Sequence, residues 1–235
     1  DVKMPMFIAM DRPKHTGQRR TVAPAFTPSE MQRMTSNIRE RTEEILDSLP
    51  WGEEFDWVDT VSIELTTQML AILFDFPWDD RRKLTYWSDW AGDLQAALDP
   101  ELGPKRLAIL WECAACFTQL WKARETEAPR PDLISRMIHS EATRDMTPQE
   151  YLGNLILLIV GGNDTTRNSM SALPIVNRLW PNEWRKVAAD RSVVENATQE
   201  LIRWQTPLAH MRRTAIADQE IGGKTIRNGD KVVIW

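Results

Sequence analysis

The sequence is poor in cysteine. Its two cysteines, Cys113 and Cys116, lie three residues apart in WECAACF, a stretch in which apolar residues have helical spacing. No disulfide framework is implied, and such low usage fits a reducing compartment. A CxxC pair is also half of a zinc or redox motif, but it has no second CxxC and no nearby histidine. We therefore predict that both cysteines are small apolar residues of a helix.

Long apolar runs are also missing. No run reaches the roughly 18 residues that cross a bilayer, so we predict no transmembrane segment and a cytoplasmic location. The motifs GxSxG, HExxH, GxGxxG and the Walker loop are absent, which argues against hydrolase and phosphate-loop chemistry. The net charge of −5 and the pI near 5.4 argue against nucleic acid as a partner, because a phosphate-binding face is basic.

The chain instead shows a series of helical patterns followed by a short β pattern. The predicted helices cover residues 27–49, 58–74, 79–98, 105–125, 131–140, 147–173, 181–189 and 192–205. After residue 210, short alternating runs are separated by Gly222-Gly223 and Asn228-Gly229 turns. The predicted fold class is mainly α with a small β region, and residues 1–235 are predicted to belong to one domain.

Three of these helices begin with a capping box, in which Glu follows a Ser or Thr by three residues. The predicted N-caps are Thr27, Thr147 and Ser192. Pro174 falls near the end of the helix that starts at Thr147. A proline there should kink the helix or end it.

The helix that starts at Thr147 breaks local rules in its most apolar part. Continuous apolar residues at 155–160 are followed by GGNDTT at 161–166. Two mid-helix glycines cost about 2 kcal/mol relative to alanine. Thr165 can bond the carbonyl four residues back. The segment is either a notch in an apolar wall, where Asp164 feeds protons through Thr165, or a helix crossing admitted by the glycines.

Two groups of charged residues outside this helix are candidates for a function. Glu200 and Arg203 are spaced to pair on one helix, either at the surface or within a structural network. Five basic residues could form a cationic cradle for the carboxylates of a ligand, or an ordinary basic surface. They are His15, Arg19, His210, Arg212 and Arg213.

Four segments, in this order, resemble the cytochrome P450 haem-thiolate monooxygenases. They are HTGQRR with AFTP, GGNDTT in the long helix, ELIR as a Glu-x-x-Arg element, and TPLAHMRRTAIADQEIGG leading into KTIRNGD. The resemblance spans about residues 11–235. GGNDTTRNSM and RWQTPLAHMRRTA are most similar to the bacterial subfamily that hydroxylates n-alkanes and fatty acids at the terminal carbon.

The resemblance implies roles for the residues of the long helix. Asp164 and Thr165 match the acid–alcohol pair that delivers protons during dioxygen activation. Gly161 and Gly162 match the positions where the helix passes over the haem.

Residues elsewhere also match the family. Three would bind the haem propionates: His15, Arg19 and Arg213. Arg212 is the alternative to Arg213. The Glu-x-x-Arg pair, a folding and haem-pocket element, is Glu200 and Arg203. Four residues would line the substrate cavity: Leu157, Val160, Leu208 and Ala209.

Two features depart from the family pattern. The cysteine that binds the haem iron lies in a Phe-x-x-Gly loop, and neither Cys113 nor Cys116 matches it, so we expect that ligand beyond Trp235. The chain would then be a fragment of the catalytic domain that is incomplete at both ends, inactive alone and without a thiolate-type carbon monoxide spectrum. The second departure is ALPIVNRLW, which contains Pro174 and is unlike the usual sequence.

The implied activity is insertion of one oxygen atom of O2 into an unactivated C–H bond of a medium-chain n-alkane or fatty acid. The implied cofactor is heme b, iron protoporphyrin IX. Electrons would come from NAD(P)H through a ferredoxin reductase and a ferredoxin. Two alternatives stay open: a cytochrome P450 that acts on terpenes or steroids, and a haem-free helical protein that binds a small molecule.

Overall fold

The computed structural model describes residues 4–235 of the chain. Its α-helices in this range are α1 Lys14–Val22, α2 Pro28–Asp47, α3 Glu64–Phe74, α4 Arg82–Gly92, α5 Leu94–Leu98, α6 Leu102–Arg124, α7 Leu133–Ile138, α8 Pro148–Leu179, α9 Pro181–Ala189 and α10 Val194–Gln205. Its strands are β1 Met211–Thr214, β2 Gln219–Ile221, β3 Lys224–Ile226 and β4 Lys231–Ile234. The predicted fold class, mainly α with a small β region, is confirmed.

The chain divides into two compact parts, one ending at Ser171 and one comprising Ala172–Trp235. The first part holds α1 to α7 and most of α8. Its core is apolar and aromatic, with completely buried members at Phe74, Leu84, Trp87, Leu110, Phe117, Ile134, Leu155 and Ile159. No helix in the described range has an apolar stretch long enough to cross a membrane. The single-domain assignment stays a prediction.

Helix α8 is the element on which the first part is assembled. Its Tyr151 hydroxyl donates to the carbonyl of Phe117 on α6 at 3.2 Å. The Asn154 amide donates to Gln18 Oε1 on α1 at 2.9 Å and accepts from the Phe7 backbone N–H at 2.8 Å. These buried polar contacts fix the first half of α8 among its neighbours, because each buried group is satisfied only in this arrangement.

The predicted N-caps Thr27 and Thr147 are confirmed, and Thr147 forms the complete capping box. Thr147 Oγ1 accepts from the Glu150 N–H, and the Glu150 carboxylate accepts from the Thr147 N–H, both at 3.2 Å. Thr27 Oγ1 accepts from the Glu30 N–H at 3.4 Å. Helices α8 and α2 therefore begin where their sequences predict.

The third predicted cap, Ser192, is wrong. Asp190 accepts from the N–H of Ser192 at 2.9 Å and from its hydroxyl at 2.7 Å, which opens a short 3-10 turn. Helix α10 then starts at Val194. The carboxylate two residues earlier takes the role because an Asp side chain caps as well as Ser does, and the Ser192 hydroxyl donates to it.

Pro174 does not end α8, which continues through it to Leu179, and the alternative, a kink at this proline, stays a prediction. A proline at 174 has no N–H for the carbonyl of Met170, four residues earlier. The indole N–H of Trp57 donates to that carbonyl at 3.2 Å. A side chain distant in sequence thus replaces the missing backbone bond, which lets the helix tolerate the proline.

Other helix boundaries also differ from the prediction, and side-chain caps explain two of them. The helix predicted at 79–98 is interrupted at Asp93, whose carboxylate accepts from the Ala96 N–H at 2.8 Å and caps α5. Helix α6 begins at Leu102, since Asp99 accepts from that N–H at 2.8 Å. Pro104 therefore lies in its first turn, where a missing N–H costs little.

The second part ends in two small antiparallel sheets. Strands β2 and β3 pair with Ile221 opposite Lys224, and the two linking glycines have φ values of 57° and 72°. Positive φ at both positions is the requirement of a type I′ hairpin, so the predicted Gly222-Gly223 turn is confirmed. Strand β1 pairs with β4, and Gly229, with φ 89°, lies in the turn before β4.

Candidate active site

One side of α8 is buried and the other is open. Leu155, Ile159 and Asn163 follow each other at four-residue spacing, and each is 0 % exposed. Leu157 and Gly161 are also four residues apart, and each lies two positions after a buried residue of that series. Leu157 is half-buried and Gly161 is exposed. Residues two positions apart point about 200° apart around a helix. The predicted cavity residue Leu157 and the predicted haem-contact residue Gly161 therefore share the open face, which also carries half-buried Val160 and Thr165.

The two adjacent glycines have different surroundings. A β-carbon on Gly161 would meet no atom within 4 Å, whereas one on Gly162 would lie 2.8 Å from Leu70 Cδ2 on α3. The two interpretations of the glycine pair, a helix crossing and a notch, therefore each apply to one of the glycines. Gly162 admits a neighbouring helix, and Gly161 leaves open space beside α8.

We expect alanine at these two positions to act in opposite ways on stability. Gly161→Ala should leave the free energy of unfolding unchanged or raise it by about 1 kcal/mol, because alanine is the better helix former. Gly162→Ala should lower it by about 2 kcal/mol, because Leu70 is only 2 % exposed and has little room to move. Urea denaturation of both variants measures the difference. Equal shifts in the two midpoints would contradict the assignment.

Thr165 makes the hydrogen bond that its position predicts. Its hydroxyl donates to the carbonyl of Gly161 at 3.1 Å, and its own carbonyl accepts from the Ser169 hydroxyl at 2.8 Å. The Gly161 carbonyl is thereby occupied on the open face. Thr165 thus presents its hydroxyl one turn after the open space at Gly161.

Asp164 is held by a different set of groups. Its Oδ1 accepts from Ser88 Oγ on α4 at 3.0 Å, from Asn163 Nδ2 at 3.1 Å and from Arg167 Nη2 at 3.2 Å. Arg167 also pairs with Asp89 at 2.8 Å. No hydrogen bond joins the Asp164 carboxylate to the Thr165 hydroxyl in the described residues. The predicted acid–alcohol pair is therefore adjacent in sequence but not directly linked.

The predicted propionate residues of α1 have no anionic partner among the described residues. His15 is half-buried and Arg19 is exposed, and neither forms an ion pair within residues 4–235. Buried Gln18 lies between them in sequence and bonds α8, and Lys14 pairs with Glu150 at the start of α8. Helix α1 is thereby fixed to α8 while its two candidate cationic side chains stay available.

The two candidate arginines of β1 are alternatives to each other. Arg213 pairs in register with Val232 and Arg212 with Val233. Successive side chains of a strand point to opposite faces, so one face of β1 presents only one of them. Both are exposed, and within the described residues neither has a carboxylate partner.

Glu200 and Arg203 form a bidentate ion pair on α10, with both N–O distances at 2.7 Å. The hydrogen bond from Arg203 lowers the pKa of Glu200. The side chains are 63 % and 71 % exposed, and they border an open, mainly apolar groove of about 890 Å³ in the second part. The sequence left open whether this is a surface ion pair or part of a structural network. The contacts within the second part match a surface ion pair.

The remaining predicted cavity residues, Leu208 and Ala209, are exposed in the second part. Their role as substrate contacts stays a prediction. Leu208 is 59 % exposed, so burying it against another group would be favourable.

The cysteines are not arranged for metal binding. Cys113 is completely buried in α6, and burial raises the pKa of its thiol well above the ordinary value. Burial also raises the pKa of Cys116. Thiolates bind metals and thiols do not, and no cluster of metal-binding side chains occurs within residues 4–235. The two side chains are free thiols, as predicted for apolar helix residues.

The residues present fit a flat, apolar group that carries two carboxylates, such as haem. The open space at Gly161 leaves α8 without a side chain at that point, and Leu157 and Val160 border it with apolar surface. His15 and Arg19 offer donors with no competing carboxylate. Such donors form charge-assisted hydrogen bonds to carboxylates.

Three residues of the Asp164 network were missed from the sequence: Ser88, Asn163 and Arg167. For Asn163 the signal was present, because it continues the buried spacing of Leu155 and Ile159. Arg167 follows Asp164 by three residues, a helical pair spacing that was also present in the sequence. Ser88 has no comparable local signal, because its role depends on the packing of α4 against α8.

Comparison with known proteins identifies the family. No family model matches the chain. Linalool 8-monooxygenase of Pseudomonas putida is 35% identical over 234 residues, which are 97% of this chain and 56% of that protein. The solved structure of cytochrome P450-153 from Novosphingobium aromaticivorans is 59% identical, with a TM-score of 0.89 over 99% of this chain and 56% of that one. This chain carries part of a cytochrome P450.

Other P450 relatives agree with this assignment. CYP153D17 from Sphingomonas sp. PAMC 26605 is 65% identical, with a TM-score of 0.89 over 100% of this chain and 59% of that one. Steroid C26-monooxygenase of Mycolicibacterium smegmatis is 30% identical over 100% of this chain and 54% of that protein. The P450 chain thus spans little more than half the length of these relatives. The predicted family and its partial coverage are confirmed, and the haem-free alternative has no support among these proteins.

Proposed function

We propose that this protein is a haem-dependent monooxygenase that inserts one oxygen atom of O2 into an unactivated C–H bond of an apolar substrate. The observation that carries the proposal is the open apolar face of α8 at Gly161, with a hydroxyl and a carboxylate one turn further on. The names of relatives such as linalool 8-monooxygenase support the same reaction class.

Four kinds of residue would hold the cofactor, heme b. Gly161 would give the haem close access to α8, and Leu157 and Val160 would offer apolar surface to the haem and the substrate. Donors from His15 and Arg19 would bind its propionates, together with Arg213 or Arg212. When bound, the haem supplies dioxygen activation, driven by electrons that originate from NAD(P)H.

Proton handling would be the task of Thr165 and Asp164. The Thr165 hydroxyl lies on the open face and can pass a proton toward the reacting group. The Asp164 side chain is 27% exposed, so it can exchange protons with solvent. Because the two are not hydrogen-bonded directly, the transfer requires rotation of the Asp164 carboxylate or an intervening water.

The substrate we propose is a medium-chain n-alkane or fatty acid, hydroxylated at the terminal carbon. The similarity of GGNDTTRNSM and RWQTPLAHMRRTA to the subfamily with that activity supports it. The linalool and steroid monooxygenases among the relatives favour a second candidate, a P450 that acts on terpenes or steroids.

The proposed electron partners are a ferredoxin and a ferredoxin reductase. They follow from the resemblance to bacterial P450s. A cytoplasmic location stays a prediction from the sequence.

A substrate comparison tests the proposal. The full-length, haem-loaded protein would be supplied with NADH and a ferredoxin system, and then with octane, dodecanoic acid, linalool or a steroid. We expect octane and dodecanoic acid to give terminal alcohols about tenfold faster than linalool, a margin that apolar pockets achieve. Gas chromatography with mass spectrometry identifies the position of the new hydroxyl.

Two results would change the conclusion. Faster turnover of linalool or the steroid would establish the second candidate. Absence of a haem absorption band after reconstitution of the full-length protein would overturn the monooxygenase assignment itself.

A further inference from the structure

Asn163, like Ser88, is a completely enclosed polar side chain of the candidate site. It is 0 % exposed and lies on the side of α8 that faces α3 and α4. Its Oδ1 lies 3.1 Å from Thr66 Oγ1 and 3.4 Å from Thr85 Oγ1, and its Nδ2 lies 3.1 Å from Asp164 Oδ1. A buried amide with partners on three helices is held in one position.

The chemistry of the partners determines which way the amide points. An ionised carboxylate only accepts hydrogen bonds, so the side that faces Asp164 must be Nδ2. Oδ1 then faces the hydroxyl of Thr85, which can donate to it, and that of Thr66, whose one proton is shared between Oδ1 and the carbonyl of Ser62 at 2.8 Å. The reverse orientation would place an amide oxygen against a carboxylate oxygen, which is repulsive in a buried site.

The contact between Asn163 and Asp164 is unusual for neighbours on a helix. Adjacent side chains diverge by about 100° and do not normally face each other. Here the amide holds the Asp164 carboxylate toward α4, where Ser88 donates to the same oxygen at 3.0 Å. The other oxygen, Oδ2, lies near Gly92, whose added β-carbon would sit 3.4 Å from it. Asp164 is therefore oriented by three donors to Oδ1, the third being Arg167, and solvent reaches neither Asn163 nor Ser88.

We propose that Asn163 is a positioning residue for Asp164, and that the hydroxyl of Thr66 anchors it from α3. The inference deepens the proposed function and rests on it, since it concerns proton delivery by Asp164. Asn163 itself touches neither the open face at Gly161 nor solvent. It acts through the orientation of the carboxylate.

The chain provides a matched pair of threonines for the test. Thr66 and Thr67 are both buried on α3, and both hydroxyls bond carbonyls of their own helix. Only Thr66 also reaches Asn163. Thr66→Val and Thr67→Val therefore remove equivalent buried hydroxyls, and only the first weakens the anchor.

The measurement is product formed per NADH oxidised in the full-length holoenzyme, with hydrogen peroxide determined in parallel. We expect Asn163→Leu to lower this ratio about tenfold, because a misplaced catalytic group loses most of its effect. Thr66→Val should lower it about fivefold, the equivalent of one hydrogen bond, while Thr67→Val leaves it unchanged. Asn163→Leu should add nothing in an Asp164→Asn background, because both changes disable the same group.

A crystal structure of Asn163→Leu gives a readout that does not depend on activity. We expect the Asp164 carboxylate to leave Ser88, so that their oxygens are more than 3.5 Å apart. If Asn163→Leu does not fold, the structure of Thr66→Val answers the same question. An unmoved carboxylate in the folded variant would overturn the inference.

The kinetic outcomes separate this inference from the proposed function. If Asp164→Asn has normal coupling, the proton role of Asp164 fails, and the inference fails with it. If Asp164→Asn is uncoupled but both Asn163→Leu and Thr66→Val are coupled, only the positioning role is overturned. Equal losses in Thr66→Val and Thr67→Val would also overturn it, since they would reflect α3 stability alone.

Discussion

Thr165→Ala is expected to consume NADH at close to the normal rate while the product formed per NADH falls by about two orders of magnitude. General acid–base groups contribute factors of this size. Electrons would still reach the haem of the full-length enzyme, but without the hydroxyl the reduced oxygen would leave as hydrogen peroxide. Product by gas chromatography, peroxide by a peroxidase assay and NADH by absorbance together measure the coupling.

The structure explains why this change should affect chemistry rather than folding. The Thr165 hydroxyl makes one hydrogen bond, to the carbonyl of Gly161 within α8. Alanine is the stronger helix former, so loss of that bond is offset by propensity. We expect the thermal unfolding midpoint to change by no more than a few degrees, about 1 kcal/mol in stability.

The adjacent threonine is the control. Thr166 is exposed, and no side-chain hydrogen bond from it occurs within residues 4–235. Thr166→Ala should leave coupling unchanged, and Thr165→Ser should restore most of it because the hydroxyl returns. Normal coupling in Thr165→Ala would remove Thr165 from the proton route.

Gly153→Ala is expected to lower the free energy of unfolding by about 3 kcal/mol, at the upper end for overpacking a tight contact. A β-carbon at this position would overlap the carbonyl oxygen of Pro5 and lie 2.8 Å from its carbon. Both are backbone atoms, so no side-chain rotation relieves the clash. Urea denaturation of the full-length protein gives the change in stability.

The segment that Gly153 admits is anchored two residues after the clash. Phe7 is 7% exposed, and its backbone N–H donates to the Asn154 side chain at 2.8 Å. Moving the segment away from α8 would therefore expose Phe7 and break this bond, which costs free energy by another route. Gly161→Ala, with no atom within 4 Å, is the matched control on the same helix. Equal stability of the two variants would show that the segment moves freely.

Much of the site was predictable from local sequence. The helical spacing around α8, the Thr147 cap and the hydrogen bond from Thr165 to Gly161 all depend on residues within one or two turns. Propensity, capping and periodicity act over that range. The motifs in GGNDTT, ELIR and HTGQRR also pointed to the family that the comparisons confirm.

Local rules failed where a distant or competing group decided the outcome. Pro174 did not end α8, because Trp57 bonds the carbonyl that the proline leaves without a partner. Ser192 does not cap α10, because Asp190 accepts from its N–H and its hydroxyl and opens a 3-10 turn ahead of that helix. In both cases a side chain that the local rule does not consider forms a hydrogen bond with a backbone group and changes the outcome.

The sequence of α8 therefore determined that a helix with two glycines, an acid and an alcohol would form at this place in the chain. It could not distinguish Gly161 from Gly162, because the two differ only in whether Leu70 of α3 lies beside them. Nor could it reveal Asn163 as the residue that holds Asp164, since its partner Thr66 lies 97 positions away. Backbone preference is a property of neighbouring residues. Which side chain faces open space and which faces a helix is decided only when the helices pack.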